Sequence, residues 1–259
     1  MNETLNLIAN RKSVRAYEPR PLGPGHRDAI VQAALRAPTA GNQMLYSILE
    51  IKDQGLKDRL AVTCDNQPFI AKAPLVLVFL ADYQRWFDFF RHSGVEALCR
   101  SMGVPFRAPE EGDLMLALSD ALIAAQTAVL AAESMGVGSC YIGDIMENFE
   151  VHRDLLGLPP FTFPIAMVCF GFPTEGQRRN LPRSRYREDM IVFKDTYRRL
   201  APEELDAMED GKPIPAGSEA VNTGQRVYLR KFTSTFMQEM NRSVQVMLEN
   251  WGCQDKVSL

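Results

Sequence analysis

Histidine is nearly missing from this chain: among 259 residues there are three, His26, His92 and His152, far apart from one another. A metal site needs imidazoles or thiolates grouped at ligand spacing, so no such site is expected. Cysteine is scarce as well. Cys64, Cys99, Cys140, Cys169 and Cys253 are scattered, odd in number and without a CxxC pair, which argues against a disulfide framework or a zinc site. We read each of these residues as a core or surface position. The opening MNETLNLIANRKSVR lacks a basic start followed by an apolar core, so no secretory signal is expected. No apolar run approaches the roughly 20 residues that span a bilayer; the longest, residues 73–81, has the length of a buried strand. A strong charge of one sign is missing too. The net charge of -3 argues against general nucleic-acid binding. These absences lead us to expect a soluble, cytoplasmic protein with neither membrane nor nucleic acid as partner.

Apolar material is plentiful, at 46% of residues, enough for a sizeable core. The length suits one compact domain with appended arms, or two small domains. Residues 3–10 predict a short helix with Leu5 and Ile8 on one face. Residues 11–17 predict an extended stretch, and Pro19 and Pro21 rule out a helix beyond it. A second helix is expected over 25–37, stopped by Pro38. Strands are expected over 47–51, 74–81 and 164–170, the second of them buried on both faces. Residues 85–102 read as helical and 105–113 as a mobile loop. An alanine-rich helix is expected over 119–135, capped by Ser119 and ended by Gly136 in the left-handed conformation. It is apolar nearly all round, which predicts burial on most sides, as at a subunit interface. Residues 201–221 read as an acidic helical turn and a linker. Residues 225–251 read as one amphipathic helix. Its stripe of Phe232, Phe236, Met240, Val244, Met247 and Trp251 must pack on the chain's own core or on a partner subunit.

Three segments carry chemistry. In an extended chain, side chains two apart point the same way, so Arg11, Ser13 and Arg15 converge. Two guanidinium forks and a hydroxyl suit a phosphate dianion; they equally suit a solvated basic turn after a helix. The stretch Ala37-Pro38-Thr39-Ala40-Gly41-Asn42 combines small residues, which admit a flat ligand close to the backbone, with hydrogen-bonding groups. Arg178, Arg179, Arg183, Arg185 and Arg187 crowd ten residues, as a solvated basic loop or with one or two arginines turned inward.

The order of these segments resembles the nitroreductase family. A helix leads to RKSVRAY, a helix to APTAGN and a strand, an alanine-rich helix to MGVGSCYIGD, and a strand to GFPTEG and an arginine-rich stretch. The resemblance covers about residues 1–200. It implies an α+β fold, a mainly antiparallel sheet flanked by helices, in an intertwined homodimer with two FMN sites at the subunit interface. Residues 1–200 would form the FMN-binding domain, and 201–259 a linker and C-terminal helical arm. By position, Arg11, Lys12, Ser13 and Arg15 would hold the FMN phosphate and ribityl chain. Pro38, Thr39, Ala40 and Asn42 would line the flavin from the other subunit. Gln67 and the run Tyr141, Ile142, Gly143 and Asp144 would border the ring. Many relatives carry Lys-x-Arg where this chain has only arginines; we prefer Arg185 and Arg187 there, with Arg183 as a shifted alternative. Asp144 stands where many larger relatives have a second glycine.

The implied activity is electron transfer from NADPH or NADH to a nitroaromatic, quinone or flavin acceptor, with ping-pong kinetics and no catalytic side chain, because the flavin carries the chemistry. Aromatic and turn-rich residues from Phe87 to Phe106 are expected to line the acceptor pocket. Alternatives are another reaction on the same scaffold, such as reductive dehalogenation, a non-catalytic FMN-binding protein, or a binder of acidic partners through residues 178–187.

Overall fold

The computed structural model describes residues 2–209 and 211–252. It contains two compact units, Met1–Asn180 with Glu239–Leu259, and Leu181–Gln238. The first unit runs through α1 (Glu3–Asn10), α2 (Pro24–Leu35), β1 (Tyr46–Glu50), α3 (Gln54–Thr63), α4 (Pro68–Lys72), β2 (Leu75–Asp82), α5 (Gln84–His92), α6 (Val95–Met102), α7 (Glu111–Ser134), β3 (Gly138–Ile142), α8 (Phe149–Leu156), β4 (Thr162–Gly171) and α9 (Glu175–Arg179). The second holds α10 (Pro202–Asp206), α11 (Thr223–Val227) and a π-helical turn, Tyr228–Phe232. Helix α12 (Thr235–Gly252) begins there and ends in the first unit.

The strands form one antiparallel sheet in the order β1-β2-β4-β3, flanked by helices, as the α+β expectation had it. The two most apolar strands, β2 and β4, take the middle. Side chains alternate across a strand, so Leu75, Leu77 and Phe79 meet α2 and α7 on one face. Val76, Val78 and Leu80 meet residues of α3 and α4 on the other. The register of β2 on β4 shifts after Phe79, where Ile165 is the extra residue. Pro164, which has no N–H to give a ladder, sits at this bulge.

Several sequence expectations change. Helix α7 starts at Glu111 rather than Ser119: Glu110 and Asp113 form a capping box within the polar stretch expected to be a loop. Ser119 instead bonds back to Met115 O. Gly136 does terminate the run at φ +72. Only one face of α7 is buried, through Leu114, Ala117, Asp120, Ala121, Ala124, Ala125, Ala128, Val129 and Ala132. Met115, Leu116, Leu122 and Ile123 are exposed. By length and composition α7 is also apolar enough to cross a bilayer, although polar residues interrupt its apolar run. The helix expected over 85–102 is two, broken at Gly94, φ +74. The helix expected over 225–251 is interrupted between the π-helical turn and α12. Its stripe divides accordingly. Phe232 is exposed, whereas Met247 and Trp251 pack with Leu114, Phe149, Phe161 and Phe163 of the chain's own first unit.

Candidate functional site

The stretch after α1 is extended and lies along β3, the sheet's edge. Ser13 forms a parallel bridge with Ser139, and Tyr17 an antiparallel one with Pro173. Val14 N–H donates to Ser139 O at 2.8 Å, and Glu18 N–H to Phe172 O at 2.8 Å. Two glycines paired across β3 and β4, Gly138 and Gly171, make room for this layer. A Cβ on Gly138 would sit 2.5 Å from Val14, and one on Gly171 would sit 2.7 Å from Tyr17. Val14 is buried while Ser13 and Arg15 are exposed, the alternation an extended chain imposes.

Three cations of this strand have different partners. Lys12 donates to the carbonyls of Arg178, at 2.6 Å, and Asn180, closing off α9. Arg11 and Arg15 make no salt bridge among the described residues. Both act on neighbouring groups. Burial raises Cys140, with Arg15, a Ser13 hydrogen bond and Arg11 opposing it. Burial pushes Tyr141 up to about 12, again against Arg11. Glu133, at the end of α7, is pushed up to about 7 by burial, against Arg11 and Lys12. Two polar atoms, Ser139 Oγ and Glu133 Oε1, are buried without a hydrogen-bond partner among the described residues.

Pro38, Thr39, Ala40 and Asn42 fall in the α2–β1 connection, where Ala40–Asn42 forms a 3-10 turn. Gly41, Asn42 and Met44 all have positive φ, at 55°, 56° and 52°. For a methionine that conformation is strained, and surrounding groups hold it. Met44 N–H donates to Thr39 Oγ1 at 3.1 Å. Asp120, buried in α7, accepts from Ala40 N–H at 2.9 Å and Leu45 N–H at 3.1 Å with its two oxygens. Trp86 Nε1 donates to Gln43 O at 2.7 Å, and Arg85 to Met44 O. Asp120, Arg85 and Trp86 had no part in the loop's sequence reading. An acid inside an alanine-rich helix was the available signal, obscured by placing the helix start at Ser119.

Gln67 caps α4 after Asp65 and Asn66, both at positive φ, and its Nε2 donates to Cys64 O at 3.0 Å. Tyr141 and Ile142 end β3, and Gly143 and Asp144 enter a 3-10 turn, Gly143–Met146. Asp144 acts on Cys64, Cys140 and Glu147, so the end of β3 carries negative charge close to Cys64 and thus to the Gln67 turn. The arginine-rich stretch splits between units. Arg178 and Arg179 end α9, and Arg178 pairs with Glu18 at 2.5 Å. Arg183, Arg185 and Arg187 belong to the second unit. There Arg185 donates to the carbonyls of Arg183 and Ser184, and Arg187 forks onto Asp189.

A cavity of about 310 Å³ opens between α5, α6 and the approach to α7, with Phe87, Phe90, Cys99, Phe106 and Arg107 on its wall. Phe87 and Phe106 stack at 5.7 Å between ring centroids. Trp86 belongs to the loop contacts above rather than to this wall. No group of three or more His, Cys, Asp or Glu among the described residues suits a metal ion.

The Nitroreductase family matches the chain over residues 8–172. The chain is 32% identical to "FMN reductase (NADPH)" of Bacillus subtilis (strain 168) over 201 residues, 76% of this chain and 75% of that one. It is 25% identical to "NADPH-flavin oxidoreductase" of Vibrio harveyi over 252 residues, 97% and 98% of the two chains. The solved structure of nitroreductase A from Vibrio parahaemolyticus superposes with a TM-score of 0.77 at 25% identity, covering 96% of this chain and 98% of that one.

Proposed function

We propose, from the fact that this chain belongs to the nitroreductase family, that it is an FMN-dependent oxidoreductase drawing electrons from NADPH or NADH. The observation that carries this reading is the docking of residues 11–15 on β3. It aligns Arg11, Lys12, Ser13 and Arg15 with the strand that ends in Tyr141 and Ile142 and turns at Gly143 and Asp144. The residues fit a phosphorylated flavin: two arginines without salt bridges among the described residues, and a buried hydroxyl, Ser139 Oγ, without a partner.

Bound FMN would supply the two-electron chemistry that no side chain here provides. Arg11 and Arg15 hold the phosphate through charge-assisted forks, and Ser13 adds a hydroxyl. Lys12, tied to the carbonyls of Arg178 and Asn180, keeps the strand in register and adds its charge. Gln67 and residues 141–144 border the ring. The strained loop carrying Pro38, Thr39, Ala40 and Asn42 reaches the ring of a second subunit. That subunit packs on the exposed Met115, Leu116, Leu122 and Ile123 of α7, since an apolar face of this extent on a helix calls for a covering surface. The aromatic cavity beside α5 and α6 receives a planar nitroaromatic, quinone or flavin acceptor. Donor and acceptor use the site in turn, which predicts ping-pong kinetics. A cytoplasmic location belongs to the same reading.

The purified protein is expected to be yellow, to bleach with NADPH or NADH under anaerobic conditions, and to regain colour on adding a nitroaromatic or quinone. Arg15→Ala is expected to weaken flavin retention by a few kcal/mol, roughly the loss of one charged phosphate partner. Full flavin occupancy of that variant after gel filtration would count against the assignment.

A further inference from the structure

His152, in α8, is fully buried, and both of its ring nitrogens are engaged. Nδ1 lies 2.9 Å from Ile145 O, in the 3-10 turn Gly143–Met146, and Nε2 lies 2.8 Å from Thr63 Oγ1, at the end of α3. A carbonyl can only accept, so Nδ1 carries a hydrogen. Burial lowers the pKa of the ring, against hydrogen bonds with the backbone of Ile145 and Glu147. The neutral ring then accepts the Thr63 hydroxyl hydrogen at Nε2. Thr63 Oγ1 also lies 3.1 Å from Arg59 O, the back-bond open to any helical threonine. Without the hydroxyl, however, the buried Nε2 would have only Cys64 Sγ, at 3.9 Å. A second strut runs beside the first. Asn148 Nδ2 donates to Thr63 O at 3.1 Å, and Asn148 O accepts from His152 N–H at 3.0 Å.

The two segments joined in this way are those assigned above to the border of the flavin ring. Cys64 follows Thr63, and its carbonyl accepts from Gln67 Nε2 at 3.0 Å. The Gln67 backbone is tied to the same helix, its N–H donating to Ala61 O at 2.7 Å. With the amide nitrogen held, Gln67 Oε1 makes no bond among the described residues and is left as an acceptor. Gly143 and Asp144 open the turn that contains Ile145, and Glu147 N–H closes it onto Asp144 O at 3.0 Å. We propose that His152 is a positioning residue for the flavin ring: by bracing Thr63 against Ile145 it fixes the end of α3, and with it the Gln67 amide as an acceptor for a ring N–H, relative to the turn that opens with Gly143 and Asp144. This rests on the cofactor reading above.

The test is the midpoint potential of FMN in the holoprotein, read by reductive titration against a dye of known potential. Thr63→Val keeps the shape of the side chain and removes the hydroxyl. It should change the ratio of affinities for reduced and oxidised FMN roughly two- to tenfold, which is about 10–30 mV for a two-electron couple. Thr63→Ser, which keeps the hydroxyl, should hold the wild-type potential. His152→Phe should shift the potential in the same direction as Thr63→Val, which serves alone if His152→Phe does not fold. In a Gln67→Ala background Thr63→Val should move the potential no further, because the amide it acts through is gone. A Thr63→Val protein with a lowered Tm and the wild-type potential would overturn the proposal, since His152 would then serve stability alone. So would shifts of equal size with and without the Gln67 amide. A wild-type protein that takes up no FMN at all defeats the cofactor reading itself, and is recognised before any potential is measured.

Discussion

Asp120 and Glu147 are both buried acids, 3% and 6% exposed, in opposite surroundings. Asp120 faces two backbone N–H groups, which it satisfies while fixing the strained loop. Glu147 faces Asp144, Asp65 and Glu239, and burial first, then these charges, push it up to about 7. Its folded-state value lies above that of an unfolded glutamate, about 4.3. Its favourable contribution is therefore complete below that value and is lost as pH rises through 7. Glu147→Gln is accordingly expected to stabilise the fold by about 1–2 kcal/mol near pH 8, after allowing for solvent screening, and by almost nothing near pH 4. Urea unfolding at the two pH values checks this; equal effects at both would refute the linkage. Individual residues were legible only where a local rule sufficed. The opposed directions of Val14 and of Ser13 with Arg15 follow from the period of an extended chain. The surroundings of Asp120 and Glu147 depend on which distant residues approach them, and no spacing along the chain encodes that.

Among elements, the docking of the N-terminal strand on β3 depends on glycine. Gly138→Ala places a methyl 2.5 Å from the Val14 side chain, and the buried Val14 cannot swing into solvent. Overpacking of this kind costs about 1–3 kcal/mol. We expect a lower Tm together with faster flavin loss, and partial recovery of both in Gly138→Ala/Val14→Ala. Additive rather than compensating effects in that cycle would show that the two residues do not meet. The element pattern also explains which parts of the fold were readable. β2 and β4 are long apolar runs, and α1 and α2 carry clear start or stop signals. β3 is short, opens on glycine and exists as a strand because β4 and residues 13–14 lie on either side of it, so MGVGSCYIGD was recognised as a motif without being assigned a conformation. Helices α3, α4, α8 and α9 carry no clear sequence signal: α4 and α9 are five residues long, α3 buries only Lys57, Leu60 and Ala61, and α8 only Phe149 and His152.

At the scale of the whole molecule, the proposed dimer would rest on the exposed apolar face of α7. Leu122→Glu with Ile123→Glu introduces charge into that face, and a dimer in the wild-type protein should become a monomer that loses flavin, as read by light scattering and absorbance. A doubly substituted protein that stays dimeric would move the interface elsewhere. The clasp at the amino end has a consequence for biosynthesis. Tyr17 bridges Pro173 and Ser13 bridges Ser139, so residues 13–17 find their neighbours only after more than a hundred further residues have been made. Closure over such a long stretch of chain comes late. A nascent chain that has not reached Pro173 therefore lacks this clasp, and on the proposed reading an anionic guest would be held only after that point.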